Sequence, residues 1–145
     1  MLLAQLQVGK FNDCYNVGKI SIEKATVIKN YIGGFVGKPE LWRGETFKLL
    51  NCYTATVPEV KNDEANCLTG SFAGKSVSDR YLDNCYSVEK GKNYWGNVED
   101  NVTGNNGNVT EEYMKSNEFV ELLNSKNDNN IWKIDANVNN GFPHF

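Results

Sequence analysis

The chain has 145 residues, 40% of them hydrophobic, and a formal net charge of −3, which suits a single globular domain. No apolar run approaches the ~20 residues that a membrane-spanning helix needs, so we expect no membrane span. The 18 acidic and 15 basic residues leave no basic block, which argues against nucleic acid as a partner.

Histidine and cysteine usage excludes several kinds of catalytic and metal site. The single histidine, His144, lies one position before the end, so a site that needs two imidazoles cannot be built. The four cysteines form no Cys-x-x-Cys pair, which argues against zinc ribbons and thioredoxin-like motifs. We predict no metal and no cofactor. The four cysteines could still form two disulfides, in one of three possible pairings. We favour reduced thiols in the core.

A Cys-Tyr dipeptide preceded by Asn or Asp is the first feature that recurs along the chain. It occurs at Cys14, Cys52 and Cys85, so 38 residues separate the first two copies and 33 the last two. A period of this length is typical of repeat architectures. We therefore predict that the chain is built from repeats.

A glycine-containing block has a similar period. Residues 33–38 read Gly-Gly-Phe-Val-Gly-Lys and match Gly-Ser-Phe-Ala-Gly-Lys at residues 70–75, 37 positions later. The residues at the start of the chain, Leu2 and Leu3, align with the middle of this block, so the chain begins inside a repeat. We predict that its recurring glycines are structural positions of a repeat stack: Gly33, Gly37, Gly70 and Gly74.

Short alternating segments fill the repeats. Residues 19–22, 46–49 and 80–82 alternate apolar and polar side chains, which indicates strands too short to be helices. Units of this kind bury their apolar side only by stacking on their neighbours. The sequence therefore predicts a mainly β fold, a right-handed parallel β-helix (β-solenoid) of about three irregular coils over residues 1–97. A β-sandwich or propeller is the alternative architecture.

Stacked coils place equivalent residues ~4.8 Å apart, so each recurring residue is predicted to form a column. Asp13, Asn51 and Asn84 precede the three cysteines at turns, where Asn and Asp tolerate unusual backbone angles. Their side chains are expected to form a hydrogen-bonded ladder. The cysteines themselves are predicted to form a column of buried thiols.

The character of the sequence changes after Trp95. Residues 98–145 begin with an Asn- and Gly-rich connector without apolar periodicity. Thr110 and Ser116 then supply helix N-caps, and apolar residues at helical spacing follow as far as Asn124. Residues 131–135 alternate as a short terminal strand, and residues 139–143 indicate a turn. We predict that this helix-strand segment caps the open end of the last coil, within one structural domain overall.

The repeated blocks resemble a known family. The Cys-Tyr-Asn-x-Gly segment at residues 14–18 and the Gly-Gly-Phe-Val-Gly segment at residues 33–37 resemble the GLUG repeat of bacterial surface and secreted proteins. Residues 110–143 are similar to the segment that often ends such arrays. The resemblance implies a β-solenoid stalk or adhesive module, displayed outside the cell beside adjoining domains of a longer chain. The proteolytic activity of some family members belongs to a different domain and is not implied here.

The sequence favours a non-catalytic structural or adhesive module that binds carbohydrate or a host or extracellular protein. Trp42, Tyr94 and Trp95 lie outside the recognised repeat and are the candidate surface contacts. The tyrosines that follow the cysteines are expected to form a column of their own. An outward column could stack on sugar rings, whereas an inward one is part of the core, and we expect the core. These tyrosines are Tyr15, Tyr53 and Tyr86.

A small polysaccharide-active β-helix enzyme is the alternative function. Glu45, Glu64, Asp79 and Asp83 lie in or beside connectors, and glycosidase chemistry uses two carboxyl groups about 5 to 10 Å apart in a cleft. Solvated acids on loops are the simpler interpretation, so we predict no catalytic residue. Residues 99–107 offer oxygen atoms for calcium but fail the EF-hand spacing.

The N-terminal end is predicted to be an uncovered edge, because the chain begins inside a repeat. An uncovered coil exposes apolar side chains and unpaired strand groups. We expect residues 1–11 either to associate end to end with another chain or to fray.

Overall fold

The computed structural model describes residues 3–6, 9–25, 29–39, 47–62, 64–76, 78, 81–98, 102 and 104–145. These residues form a mainly β structure with short helices near the C-terminus, as the sequence predicts. The strands are β1 (Leu3–Leu6), β2 (Gly9–Asn12), β3 (Tyr15–Asn16), β4 (Ser21–Ile22), β5 (Asn30–Gly33), β6 (Val36–Pro39), β7 (Phe47–Thr54), β8 (Glu59–Val60), β9 (Cys67–Gly70), β10 (Leu82–Val88) and β11 (Asn106–Val109). The helices are α1 (Glu111–Met114) and α2 (Asn117–Asn124), with 3-10 helices at Glu64–Asn66 and Asn139–Gly141.

The pairings between these strands are parallel. The central sheet has the order β11-β10-β7-β2, and β3 also lies beside β7. Three two-stranded sheets accompany it: β1 with β6, β4 with β8, and β5 with β9. Paired strands are far apart in the sequence, so each described strand lies against a strand from a later or earlier part of the chain.

The strand register confirms how the sequence blocks align. Val36 pairs with Leu3 on one side and with Ala73 on the other. Cys52 pairs with Cys85 in the central sheet. Leu3, Val36 and Ala73 therefore lie at equivalent positions of neighbouring parallel strands.

The structure contains one further copy that the sequence prediction missed. Ala73 also pairs with Trp95, and Asn106 of β11 lies opposite Cys85. The prediction that the strand pattern ends near Trp95 and gives way to a connector is therefore wrong. Only 22 residues separate Ala73 from Trp95, and an asparagine replaces the cysteine, so a comparison at a period near 37 does not find this copy.

The stacked stretches are called passes below. The first pass consists of the described residues of 3–22, the second of those of 30–60, the third of those of 67–88 and the fourth of those of 93–109. Each pass contributes to the central sheet. The first pass contributes β2 and β3, the second β7, the third β10 and the fourth β11.

Two apolar cores flank the central sheet, because successive side chains of a strand point to opposite faces. Cys52 and Cys85 point into the inner core, which also contains Phe35, Phe72 and Tyr94. The neighbouring tyrosines point into the outer core. Its buried residues are Tyr53, Tyr86, Val88, Met114, Phe119, Leu123, Trp132 and Phe142.

The C-terminal segment covers the face of the central sheet. The Phe119 ring lies 5.7 Å from that of Tyr53 and 5.5 Å from that of Tyr86, and Trp132 lies 5.8 Å from Tyr15. Because these tyrosines lie on three neighbouring strands, the segment packs across the face of the central sheet. The sequence places this segment over the open end of the last coil, whereas the apolar side of the helix packs on the outward tyrosines in a core that Val109 of β11 also contacts.

The helices form where the caps predict them. Thr110 accepts a hydrogen bond from the backbone N–H of Tyr113, and Ser116 accepts one from Phe119. Acidic residues in the first turn of each helix suit the positive end of the helix dipole. In the described residues, neither helix has the length and apolar character needed to cross a membrane.

The strand predicted at residues 131–135 is reduced to one antiparallel bridge between Lys133 and His144. Trp132 is instead fixed by side chains. Its backbone N–H donates to Asn124 Oδ1 at 3.0 Å, and its indole N–H donates to Asp13 Oδ1 at 3.2 Å. These bonds turn Trp132 onto the sheet face, so alternation here reflects one buried ring and not a strand.

Gly33 and Gly70 occupy a corner where the backbone approaches itself too closely for a side chain. A Cβ on Gly33 would lie 2.1 Å from the Val36 carbonyl oxygen, and one on Gly70 would lie 2.0 Å from that of Ala73. Gly37 is buried next to the same corner. The repeated glycines thus permit the tight stacking that the sequence predicts for them.

Candidate binding groove

The recurring Asp and Asn residues form a hydrogen-bonded ladder across three passes. Asn84 Nδ2 donates to Asn51 Oδ1 at 2.7 Å, and Asn51 Nδ2 donates to Asp13 Oδ1 at 3.2 Å. Their φ angles are +55° at Asp13, +52° at Asn51 and +59° at Asn84, in a backbone region that Asn and Asp tolerate better than most residues. The ladder predicted from the sequence is present, and each rung also holds a bend in its strand.

Asp13 terminates this ladder, because its Oδ1 acts as an acceptor in each of its hydrogen bonds. Its Oδ1 also accepts from Asn127 Nδ2 at 2.7 Å and from the Trp132 indole. At the other end, Asn84 Nδ2 donates to the Leu122 carbonyl oxygen at 2.8 Å. Both ends of the ladder therefore anchor the C-terminal segment.

The cysteine column lies beside the ladder. Cys52 and Cys85 are fully buried, Cys14 is half-buried, and no cysteine of the chain forms a disulfide. A hydrogen bond with Cys52, together with burial, raises the pKa of the Cys14 thiol, and burial raises the pKa of Cys52. Cys52 and Cys85 lie in the inner core and Cys14 packs against it, so the column contributes to core packing.

The tyrosine column faces the outer core. The rings of Tyr15 and Tyr53 stack at 5.5 Å, and the Tyr53 hydroxyl donates to the Pro143 carbonyl oxygen. Burial raises the pKa of Tyr53, and it raises the pKa of Tyr86 to about 12. Tyr53 and Tyr86 are covered by the C-terminal segment and are not available to a sugar ring.

A second aromatic stack runs through the inner core. Phe72 lies between Phe35 and Tyr94, with ring centroids 5.0 and 4.8 Å away and ring planes nearly parallel. The exposed fraction is 0% for Tyr94 and 3% for Trp95, so the prediction that they form a surface contact is wrong. Tyr94 and Trp95 align with Phe35 and Val36 in the stack of strands, and they are buried as those two residues are. Trp42, the third predicted contact, lies outside the described residues.

A groove opens on the other side of the stack because one connection is short. The connection from the first pass to the second spans 18 positions, from Asn16 to the corner at Gly34, and the next connection spans 17, from Thr54 to the equivalent Ser71. In the third pass only six residues lead from Ser87 to Asn93, whose carbonyl oxygen accepts from the Ser71 N–H. The third connection therefore bypasses the region where β4, β8, β5 and β9 lie.

The bypassed region is a groove of about 750 Å³, called the binding groove below. Its described lining consists of residues 17–19 and 55–60 with Cys67, Thr69, Lys90, Lys92 and Gly96. Thr56 Oγ1 donates to the Gly18 carbonyl oxygen and so holds the second pass to the first along one wall. None of the described lining residues is aromatic.

The charge of the binding groove is positive, although the chain is acidic overall. Three lysines and one glutamate line it, and Lys19 Nζ lies 3.1 Å from Glu59 Oε2. Lys90 Nζ lies 2.7 Å from Glu111 Oε2, outside the lining. Hydrogen bonds from Lys115 and Lys90 lower the pKa of Glu111 to about 2. Lys92 is exposed and forms no ion pair within the described ranges.

Of the acidic residues proposed for an enzyme, Asp83 is the one whose side chain the structure describes. Asp83 is half-buried and accepts a hydrogen bond from Lys126 Nζ. Glu45, Asp79 and the side chain of Glu64 lie outside the described residues. The described residues also contain no group of three or more His, Cys, Asp or Glu side chains suited to a metal ion.

Sequence reasoning missed the binding groove because it missed the fourth pass. The available signal is the six-residue spacing from Ser87 to Asn93, which becomes visible only when Tyr94 is aligned with Phe72. A large aromatic followed by a second apolar residue and a glycine is common to both positions.

No known protein family, curated protein or solved structure matches this chain. The resemblance to the GLUG repeat therefore depends on the sequence blocks alone. The function is inferred from the columns and the groove.

Proposed function

We propose that this chain is a non-catalytic β-solenoid module of the GLUG type that binds a partner through the binding groove. In the proposed architecture the passes are irregular coils of a parallel β-helix, three of full length and a short fourth. A right-handed coil is proposed because parallel crossover connections have that hand in about 98% of cases.

One observation carries this proposal: the recurring side chains are occupied by contacts with their own copies. Asn51 bonds to Asp13 and Asn84, and Phe72 stacks between Phe35 and Tyr94. Repetition that serves stacking specifies a scaffold. A ligand must then bind residues that do not repeat, and the binding groove collects such residues.

The extracellular setting is part of the same proposal. It is supported by the resemblance of the repeated blocks to bacterial surface and secreted proteins, which also suggests adjoining domains as partners. End-to-end association through residues 1–11 is proposed with it. Among the described strands, β2 and β3 pair only with β7, so their outer edge offers backbone groups to a further strand.

The test compares binding with turnover. The chain is applied to a glycan array and to a panel of extracellular proteins, and in parallel to a polysaccharide-cleavage screen. We expect binding without turnover, unchanged in Asp83→Asn. Cleavage that is lost in Asp83→Asn and kept in the matched control Glu121→Gln, an exposed acid on α2, would show an enzyme instead.

A further inference from the structure

We propose that the binding groove takes an extended acidic peptide, which adds as a third strand beside β8. This inference rests on the proposed function, since it assumes that the groove is the binding surface. It adds the class of partner and the mode of recognition.

The backbone of β8 has one unused edge. The Glu59 N–H donates to the Ile20 carbonyl oxygen at 3.0 Å, and the Lys61 N–H donates to that of Ile22 at 2.9 Å. Backbone groups of alternate residues in a strand point to opposite sides, so those of Val60 point away from β4. Within the described chain β8 has β4 as its strand partner, and Val60 lines the binding groove. Its N–H and C=O are therefore placed to bind an added strand.

The shape of the groove follows from the same geometry. The first two passes fill this ladder position with β4 and β8, whereas the third connection crosses from Ser87 to Asn93 without a strand. The described lining of this vacancy includes β8 together with Lys90, Lys92 and Gly96 of the third connection and fourth pass. An extended chain suits this site because its backbone groups can pair with the edge of β8.

The charges select the kind of peptide. Lys19 is paired with Glu59, and Lys90 shares its charge with Glu111 outside the lining, so Lys92 is the lining lysine that forms no ion pair within the described ranges. Side chains of an added strand alternate between two faces, which allows acidic residues at every second position to meet these lysines. A sugar ring is less suited, because the described lining offers no aromatic platform on which it could stack.

The test uses a fluorescein-labelled hexapeptide, acetylated and amidated at its ends, in which glutamate alternates with threonine. Its anisotropy is titrated with the full chain and compared with that of a lysine-threonine peptide. Two further probes carry N-methyl groups on the odd or the even backbone nitrogens, which blocks strand pairing without changing charge. We expect the acidic peptide to bind and at least one N-methylated form to bind about fivefold more weakly, since a lost backbone bond is worth about 1 kcal/mol. Lys92→Glu should weaken binding up to about fivefold.

Variants of Val60 test the edge itself. Val60→Pro removes the N–H that faces the groove and keeps the bonds of Glu59 and Lys61, whereas the matched control Val60→Ala keeps the N–H. Binding should fall with proline and persist with alanine, and the Val60 amide signal should shift on peptide addition to the wild-type chain.

Two results would overturn the inference. The first is equal binding of the parent and both N-methylated peptides, and the second is no binding of the acidic peptide or no shift at Val60. If a glycan shifts the same amide signals instead, the proposed function stands without this inference. Polysaccharide turnover would contradict both the proposed function and this inference.

Discussion

The two sides of the stack differ in how completely they are filled. On the side of the central sheet, all four passes contribute a strand, and an Asn ladder, a thiol column and aromatic stacks connect them. On the side of the binding groove, β4–β8 and β5–β9 each have two strands, because the third connection is short. The comparison teaches that repeated side chains hold the passes together, while the length of one connection decides where the surface opens.

The largest difference between the two sides is expected in the aromatic stack. Phe72→Ala should lower the free energy of unfolding by about 3–5 kcal/mol, because it leaves a cavity between two fully buried rings. Val60→Ala at the groove should cost less than about 1 kcal/mol, since that side chain is only half-buried. Urea denaturation of both variants measures the contrast. Equal losses would mean that the groove side is as tightly packed as the core.

The ladder should give the next largest effect. Asn51→Ala removes hydrogen bonds to both neighbours and places alanine at φ +52°, so we expect a loss of about 2–4 kcal/mol. Asn51→Gly removes the same bonds but accepts this φ, so it should be about 1 kcal/mol less destabilising. Denaturation midpoints of the pair separate the two contributions. If glycine proves as costly as alanine, the strained φ contributes nothing and the backbone argument fails.

Cysteines lie in both regions and report their accessibility directly. Cys52 is fully buried with a raised pKa, whereas Cys67 lines the binding groove and is half-buried. Cys67 should therefore react with a maleimide at least about tenfold faster than Cys52 in the native protein. Mass spectrometry of timed reactions identifies the labelled residue, and urea should abolish the difference. Fast labelling of Cys52 in the folded state would contradict a buried column.

The smallest effect concerns Glu111, which joins the C-terminal segment to the rim of the groove through Lys90. Because its pKa is lowered in the folded state, Glu111 stabilises the fold above its unfolded pKa, and this contribution is lost as the pH falls from about 5 towards 2. Its side chain is about one-third exposed, so solvent screening limits the loss to less than about 1 kcal/mol. Unfolding measured over this pH range should be less pH-dependent in Glu111→Gln. An unchanged slope would show that the ion pairs add no stability.

The sequence predicts the parts of the fold that depend on repeated residue identity. Asp13, Asn51 and Asn84 reveal both their ladder and their unusual φ, because few other residues satisfy both demands. Tyr94 and Trp95 could not be placed in this way, since stacking requires only an aromatic ring of similar size and does not conserve the residue.

The sequence did not predict where the C-terminal segment packs or that the groove exists, and the reason is different. Helix caps at Thr110 and Ser116 are local signals, but the face on which Phe119 packs depends on tyrosines far away in the sequence. The groove is created by residues that the third connection lacks. The face on which the helix packs has no local pattern, and the short spacing from Ser87 to Asn93 that marks the groove appears only once Tyr94 is aligned with Phe72.

Scalar couplings across backbone hydrogen bonds, measured by NMR on the labelled chain, test the parallel stacking of passes most directly. The account predicts couplings from the Tyr53 nitrogen to the Cys14 carbonyl carbon and from the Phe72 nitrogen to that of Tyr94, whose N–O distances are 3.0 and 3.1 Å. It also predicts that the Val60 amide exchanges rapidly with solvent. Couplings to other partners, or an antiparallel pattern between β7 and β10, would contradict the stacked arrangement from which the ladder, the columns and the groove all follow.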